Sequence, residues 1–112
     1  MRKIDTLKKN YEFKNVLNRG KFYKGKYITI YIVPNNYEKN IIGIAISKKL
    51  CKANKRNRLK RLIRESYRIR KDILKKGNNI VFIWNKRAQI ENIKSQEIGL
   101  DMEKLFIRAG IM

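Results

Sequence analysis

The chain has 112 residues, of which 29 are Lys or Arg and 9 are Asp or Glu, and it contains no histidine. A formal charge of +20 on so short a chain repels itself and calls for a polyanion, nucleic acid first and an anionic membrane surface second. The missing histidine excludes Ser-His-Asp and Cys-His catalysis and most zinc sites, while a hydrophobic content of 43% is enough for one folded domain spanning residues 1–112.

Cys51 is the only cysteine, so no intramolecular disulfide forms, and it reads as a small buried apolar residue. The start, Met1-Arg2-Lys3-Ile4-Asp5, lacks the apolar run of a secretory signal. No stretch approaches the ~20 apolar residues of a membrane span. A soluble, cytoplasmic protein is expected.

Residues 10–18 predict a short helix with Phe13, Val16 and Leu17 on one face, Asn10 as a cap and Gly20 as the stop. Residues 21–23 suit a short leading strand. Residues 26–33 alternate as a strand, with Tyr27, Thr29, Tyr31 and Val33 facing one way and Ile28, Ile30 and Ile32 the other. Pro34-Asn35-Asn36 ends it in a turn. Residues 41–47 form the next strand, with Ile42, Ile44 and Ile46 on one face, and a hairpin between these two strands is the economical pairing. Residues 54–76 predict a helix about 35 Å long, closed by Gly77 and Asn78. Its apolar stripe is Leu59, Leu62, Ile63, Tyr67, Ile73 and Leu74, with Arg70 expected to snorkel outward. Residues 80–84 are an apolar strand. Ile98, Met102, Leu105, Phe106 and Ala109 mark a last helix, whose first turn Gly99 weakens. Helix, strands, long helix, strand, helix make an α+β domain with helices packed on a small sheet.

The charge is concentrated. Residues 48–76 hold 14 basic and two acidic residues, a net +12 of the total +20. On a helix, Asn57, Arg61, Arg64, Arg68, Lys71 and Lys75 share one sector, opposite the Leu59/Leu62/Ile63 stripe. A solvated face normally interleaves both signs; this one has almost no acid and reads as a nucleic-acid contact. Ser47, Lys48 and Lys49 lead into it. The backbone N–H groups at the helix start, near Lys55, Arg56 and Arg58, suit an anion. No helix-turn-helix pair precedes the helix, whereas Phe13, Tyr27 and Tyr31 offer rings on which unpaired RNA bases can stack. Core packing is the competing role for those rings, since one strand face must be core, and Tyr31 is divided between the two.

The run Lys55-Arg56-Asn57-Arg58-Leu59-Lys60-Arg61-Leu62-Ile63-Arg64 resembles the arginine-asparagine-arginine motif of the bacterial ribonuclease P protein component. Leu7-Lys8-Lys9-Asn10 with Phe13 is similar to that family's first helix, and Gly43-Ile44-Ala45-Ile46-Ser47-Lys48-Lys49 to the strand entering the motif. Phe82-Ile83-Trp84-Asn85-Lys86 is similar to its next strand, soon after which other members often carry an arginine. The resemblance implies an α/β sandwich, ribosomal-protein-S5-domain-2-like, with four strands, three helices and a left-handed β-α-β crossover against the usual handedness. It implies a non-catalytic subunit that binds the catalytic RNA of ribonuclease P and the 5′ leader of precursor tRNA. It further implies that the RNA cleaves off the leader with magnesium ions and that the protein itself binds no cofactor or metal. Carried over residue by residue, the RNA contacts are Lys48, Lys49, Lys55, Arg56, Asn57, Arg58, Lys60, Arg61, Arg64 and Arg68, and the leader cleft is Phe13, Tyr31, Ser47 and Lys48. Leu17 departs from the pattern, because many members have an aromatic there.

The acids agree with this division of labour. A protein metallonuclease clusters carboxylates; here they are scattered, and Asp101 and Glu103 diverge on their helix into structural or solubilising roles. A structural RNA-binding protein, such as a small ribosomal protein, is the rival reading, and the motif argues against it. A membrane-surface protein needs apolar residues beside the basic ridge, which has none. No membrane and no obligate protein partner are expected.

Overall fold

β-branched and aromatic residues fill four short strands that pair into one mixed sheet of order β1-β2-β4-β3 in a computed structural model that describes residues 4–112. The Met1-Arg2-Lys3 part of the start that argued against a secretory signal lies outside the described residues. The elements are α1 (Asn10–Arg19), β1 (Lys21–Lys24), β2 (Ile28–Pro34), β3 (Ile41–Ala45), α2 (Ala53–Arg70), a 3-10 turn (Lys71–Ile73), β4 (Asn78–Trp84) and α3 (Ser95–Arg108). This is the α+β architecture of four strands and three helices expected from the sequence.

The expected β2–β3 hairpin does not form. β4 lies between them, antiparallel to β2 and parallel to β3. Ile80, Val81, Phe82 and Trp84 are all buried, so β4 needs cover on both faces and takes a central place. β3 goes to the side, and its outer edge pairs with residues 5–7: Leu7 N–H donates to the Ile42 carbonyl at 2.8 Å, and Ile42 N–H to that of Asp5 at 2.9 Å.

One sheet face is the main core. Ile28, Ile30, Ile32, Ile42, Ile80 and Phe82 meet Leu59, Ile63 and Tyr67 of α2 and Ile98, Met102, Leu105 and Phe106 of α3. Tyr67, Phe82 and Phe106 pack edge to face, with centroids 5.9–6.5 Å apart. Burial pushes the Tyr67 phenol up to about 12, with the Asp5 charge adding to the shift.

Several local expectations change. α1 is secured by Glu12 rather than Asn10, its carboxylate accepting the Lys9 N–H at 2.9 Å. α2 stops at Arg70, so the shared helical sector ends with Arg68; Lys71 lies in the 3-10 turn and Lys75 beyond it. Ile73 is 64% exposed rather than part of the apolar stripe. Arg70 does not snorkel outward. Gly99 leaves room for its guanidinium, since a Cβ there would lie 2.5 Å from Nη2. Glu103 supplies the counter-charge, accepting from Nε at 2.7 Å. Tyr27 precedes β2 and turns into the main core against Trp84, with its hydroxyl donating to Glu97 at 3.3 Å, so it is no RNA-facing ring. Cys51 is half-buried at the core margin.

Candidate nucleic-acid interface

The second sheet face is only partly covered. α1 and Leu7 pack over Val81, with Val16 buried and Phe13, Leu17, Tyr31 and Ile83 half-buried around it. The strand registers align Phe22, Tyr31, Val81 and Gly43 in one row across all four strands. Gly43 lets α1 approach: a Cβ there would lie 2.5 Å from Phe13 Cε1. Beyond α1 the row stays open. Tyr31, Thr29 and Ile83 line a groove of about 580 Å³ together with Lys24, Lys26, Lys86 and Arg87. Phe22 is 63% exposed, with its ring 5.7 Å from that of Tyr31. Two rings edged by four cations can stack unpaired bases and neutralise their phosphates.

Phe22, Lys24, Lys26 and Arg87 were not singled out from the sequence, and Lys86 entered only as the end of the run similar to the family's strand. The signal for Phe22 is the register of β1, which sets it opposite Tyr31. The signal for the basic residues is spatial, since they come from loops about 60 residues apart.

Ser47, Lys48 and Lys49 are exposed at the C-terminal end of β3, beside the C-terminal end of its parallel neighbour β4. The Ser47 hydroxyl oxygen accepts the Lys49 N–H at 3.2 Å. Around the corner, Lys60 and Arg64 of α2 line a hollow of about 220 Å³ together with Phe13, Leu7 and Gly43. Phe13 therefore belongs both to the hollow beside the basic ridge and to the apolar cluster on the half-covered sheet face.

The motif's cations divide into two groups. Lys60, Arg61 and Arg64 make no side-chain hydrogen bond or ion pair among the described residues, and Asn57, Arg61 and Arg64 are exposed. The others are engaged by the protein's own groups. Arg58 Nη2 donates to the Ile93 carbonyl at 2.9 Å, fastening the loop between β4 and α3 to α2. Arg56 Nη1 donates to the Cys51 carbonyl at 2.7 Å. Lys55 pairs with Glu91, and Arg68 with Glu65. The first turn of α2 contains no acid and has no side-chain cap, which keeps that end electropositive. Among the described residues no group of three or more His, Cys, Asp or Glu is placed to hold a metal ion, and no helix is long and apolar enough to cross a membrane.

The family model described as Ribonuclease P matches residues 1–110. A ribonuclease P protein component of Clostridium botulinum (strain 657 / Type Ba4) is 39% identical over 110 residues, covering 97% of both chains. One from Clostridium perfringens (strain SM101 / Type A) is 38% identical over 113 residues, covering 95% of this chain and 89% of the relative. The chain belongs to the ribonuclease P protein family. Solved structures agree. The RNase P protein of Thermotoga maritima superposes with a TM-score of 0.84 at 28% identity, covering 96% of this chain and 97% of that one. The Staphylococcus aureus RNase P protein gives 0.83 at 26% identity, covering 97% and 98%. The ribonuclease P protein is the RNA-binding subunit of the enzyme that matures the 5′ end of tRNA, and it works with an RNA component.

Proposed function

We propose that this ribonuclease P protein grips the catalytic RNA with the α2 ridge and receives the precursor leader on the half-covered sheet face. The single observation that carries this reading is the shared hollow of Lys60, Arg64 and Phe13, which joins ridge to cleft. A strand emerging beside the catalytic RNA passes from the cations of α2 across Phe13 to Tyr31. Lys48, Lys49, Asn57, Lys60, Arg61 and Arg64 make the RNA contacts. Lys55, Arg56, Arg58 and Arg68 contribute charge from fixed positions. Phe13, Tyr31, Ser47 and Lys48 line the leader path.

In this reading the chain supplies no catalytic residue. The magnesium ions belong to the RNA in this reading, and the protein's cations offset phosphate repulsion around them. It works in the cytoplasm, away from membranes and with no obligate protein partner. Reconstitution tests this: at low magnesium, precursor tRNA cleavage is expected only when both protein and catalytic RNA are present. Equal cleavage by the RNA alone would overturn the assisting role.

A further inference from the structure

The turn that carries Lys24 and Lys26 is held far more firmly than a surface turn requires. The Asp101 carboxylate, 6% exposed on α3, accepts three backbone N–H groups from it. Oδ1 accepts from Lys26 at 2.8 Å, and Oδ2 accepts from Tyr27 at 2.9 Å and Ile28 at 3.1 Å. Asn85, just after β4, donates from Nδ2 to the Gly25 carbonyl at 2.8 Å. Its Oδ1 accepts the Thr29 hydroxyl at 2.5 Å. Arg108 Nη1 donates to the Lys24 carbonyl at 2.9 Å. Gly25 is part of the arrangement, because a Cβ there would lie 2.5 Å from Asp101 Oδ1.

A buried carboxylate is costly unless its oxygens are satisfied, and here the charge-assisted bonds all go to one turn. The side chains of that turn have a different environment. Lys24 and Lys26 are exposed and line the groove together with Lys86 and Arg87, and the Lys26 ammonium lies 5.2 Å from the centroid of the Tyr27 ring. Four cations around one opening repel each other, and a loosely tethered turn would swing outward.

We propose that Asp101, assisted by Asn85, is a positioning residue that fixes the turn of residues 24–27 as one wall of the groove. Lys24 and Lys26 then meet the phosphates of a single strand lying over Tyr31 and Phe22. This rests on the leader path proposed above, extending it from the α1 side to the open side of the sheet. α3 thereby acts on RNA it does not touch.

The test uses the reconstituted holoenzyme, with precursor tRNA bearing a short or a long leader and with mature tRNA. Asp101→Asn leaves Nδ2 facing the Lys26 N–H, Gly25→Ala breaks the same clamp from the turn, and Lys24→Ala/Lys26→Ala removes the wall's charges while leaving the clamp's hydrogen bonds in place, its one core contact being that of Lys26 on the Tyr27 ring. Each is expected to weaken long-leader binding by about threefold to tenfold and to lower the salt slope by about 0.7 for every leader phosphate that goes unneutralised. Affinity for mature tRNA and for the catalytic RNA stays unchanged. Parallel loss of all these affinities in Asp101→Asn and Gly25→Ala would make Asp101 a residue of the fold alone. Unchanged long-leader binding in the double lysine variant would remove the turn from the RNA path. If the unsubstituted protein showed no gain from a leader, the leader path itself would fail, and that is read before any variant is compared.

Discussion

The two faces of the sheet draw on similar side chains and are finished in opposite ways. On one, α2 and α3 close over Ile28, Ile30, Ile42, Ile80 and Phe82 and bury each of them fully. On the other, the ten-residue α1 covers only one end, leaving Phe22 in solvent and Tyr31 half-buried. Each Å² of apolar surface buried contributes about 25 cal/mol, so extending that cover would stabilise the fold. The open aromatic pair is kept at the expense of that gain. The covered face supplies stability, and the open one supplies a place for bases.

The sharpest way to break this contrast is to remove one ring from each face. Phe82→Ala empties the centre of the covered face and is expected to cost about 3–5 kcal/mol, read by urea unfolding. Tyr31→Ala, on the open face, is expected to cost about 1–3 kcal/mol of base stacking. It should lower discrimination between precursor and mature tRNA more than affinity for the catalytic RNA. Equal loss of both affinities, or a loss of stability matching Phe82→Ala, would make Tyr31 a core residue and erase the difference between the faces.

The same division recurs along α2. Arg58 bonds a backbone carbonyl of the loop it fastens, whereas Arg64 points at the hollow beside Phe13. Arg58→Ala is expected to destabilise by about 1–3 kcal/mol, the scale of a charged hydrogen bond whose carbonyl partner is left unmade. Thermal unfolding of the protein without RNA checks this; an unchanged melting point would return Arg58 to the freely RNA-facing group.

The periodic parts of the fold were legible in the sequence. Alternation marked β2, the 3.6-residue stripe marked α2 and α3, and the run from Lys55 to Arg64 carried the family. Strand order was not legible, because it depends on which strand needs cover on both faces and on the pairing of residues 5–7 with β3. Arg70 was misread because its cradle, Gly99, and its counter-charge, Glu103, lie on α3. The site was half legible. Lys60, Arg61 and Arg64 show in helical phase, but no local pattern distinguishes them from Arg58, whose partner carbonyl is 35 residues away. Phe22, Lys24, Lys26, Lys86 and Arg87 form a groove only once β1, β2 and β4 are side by side.

The smallest expected change in stability belongs to the ridge. Arg61 and Arg64 are exposed and bond nothing else among the described residues, so replacing both with Ala should shift unfolding by no more than about 0.5 kcal/mol each. Their effect is expected instead in the salt dependence of binding to the catalytic RNA, where the log–log slope falls by about 0.7 to 0.9 for each phosphate the variant no longer neutralises. Discrimination between precursor and mature tRNA should stay near that of the unsubstituted protein, because Phe13 and Tyr31 are untouched. An unchanged slope would remove the ridge from the interface. A lost discrimination with an unchanged slope would instead assign these arginines to the leader, making ridge and cleft one functional surface rather than two.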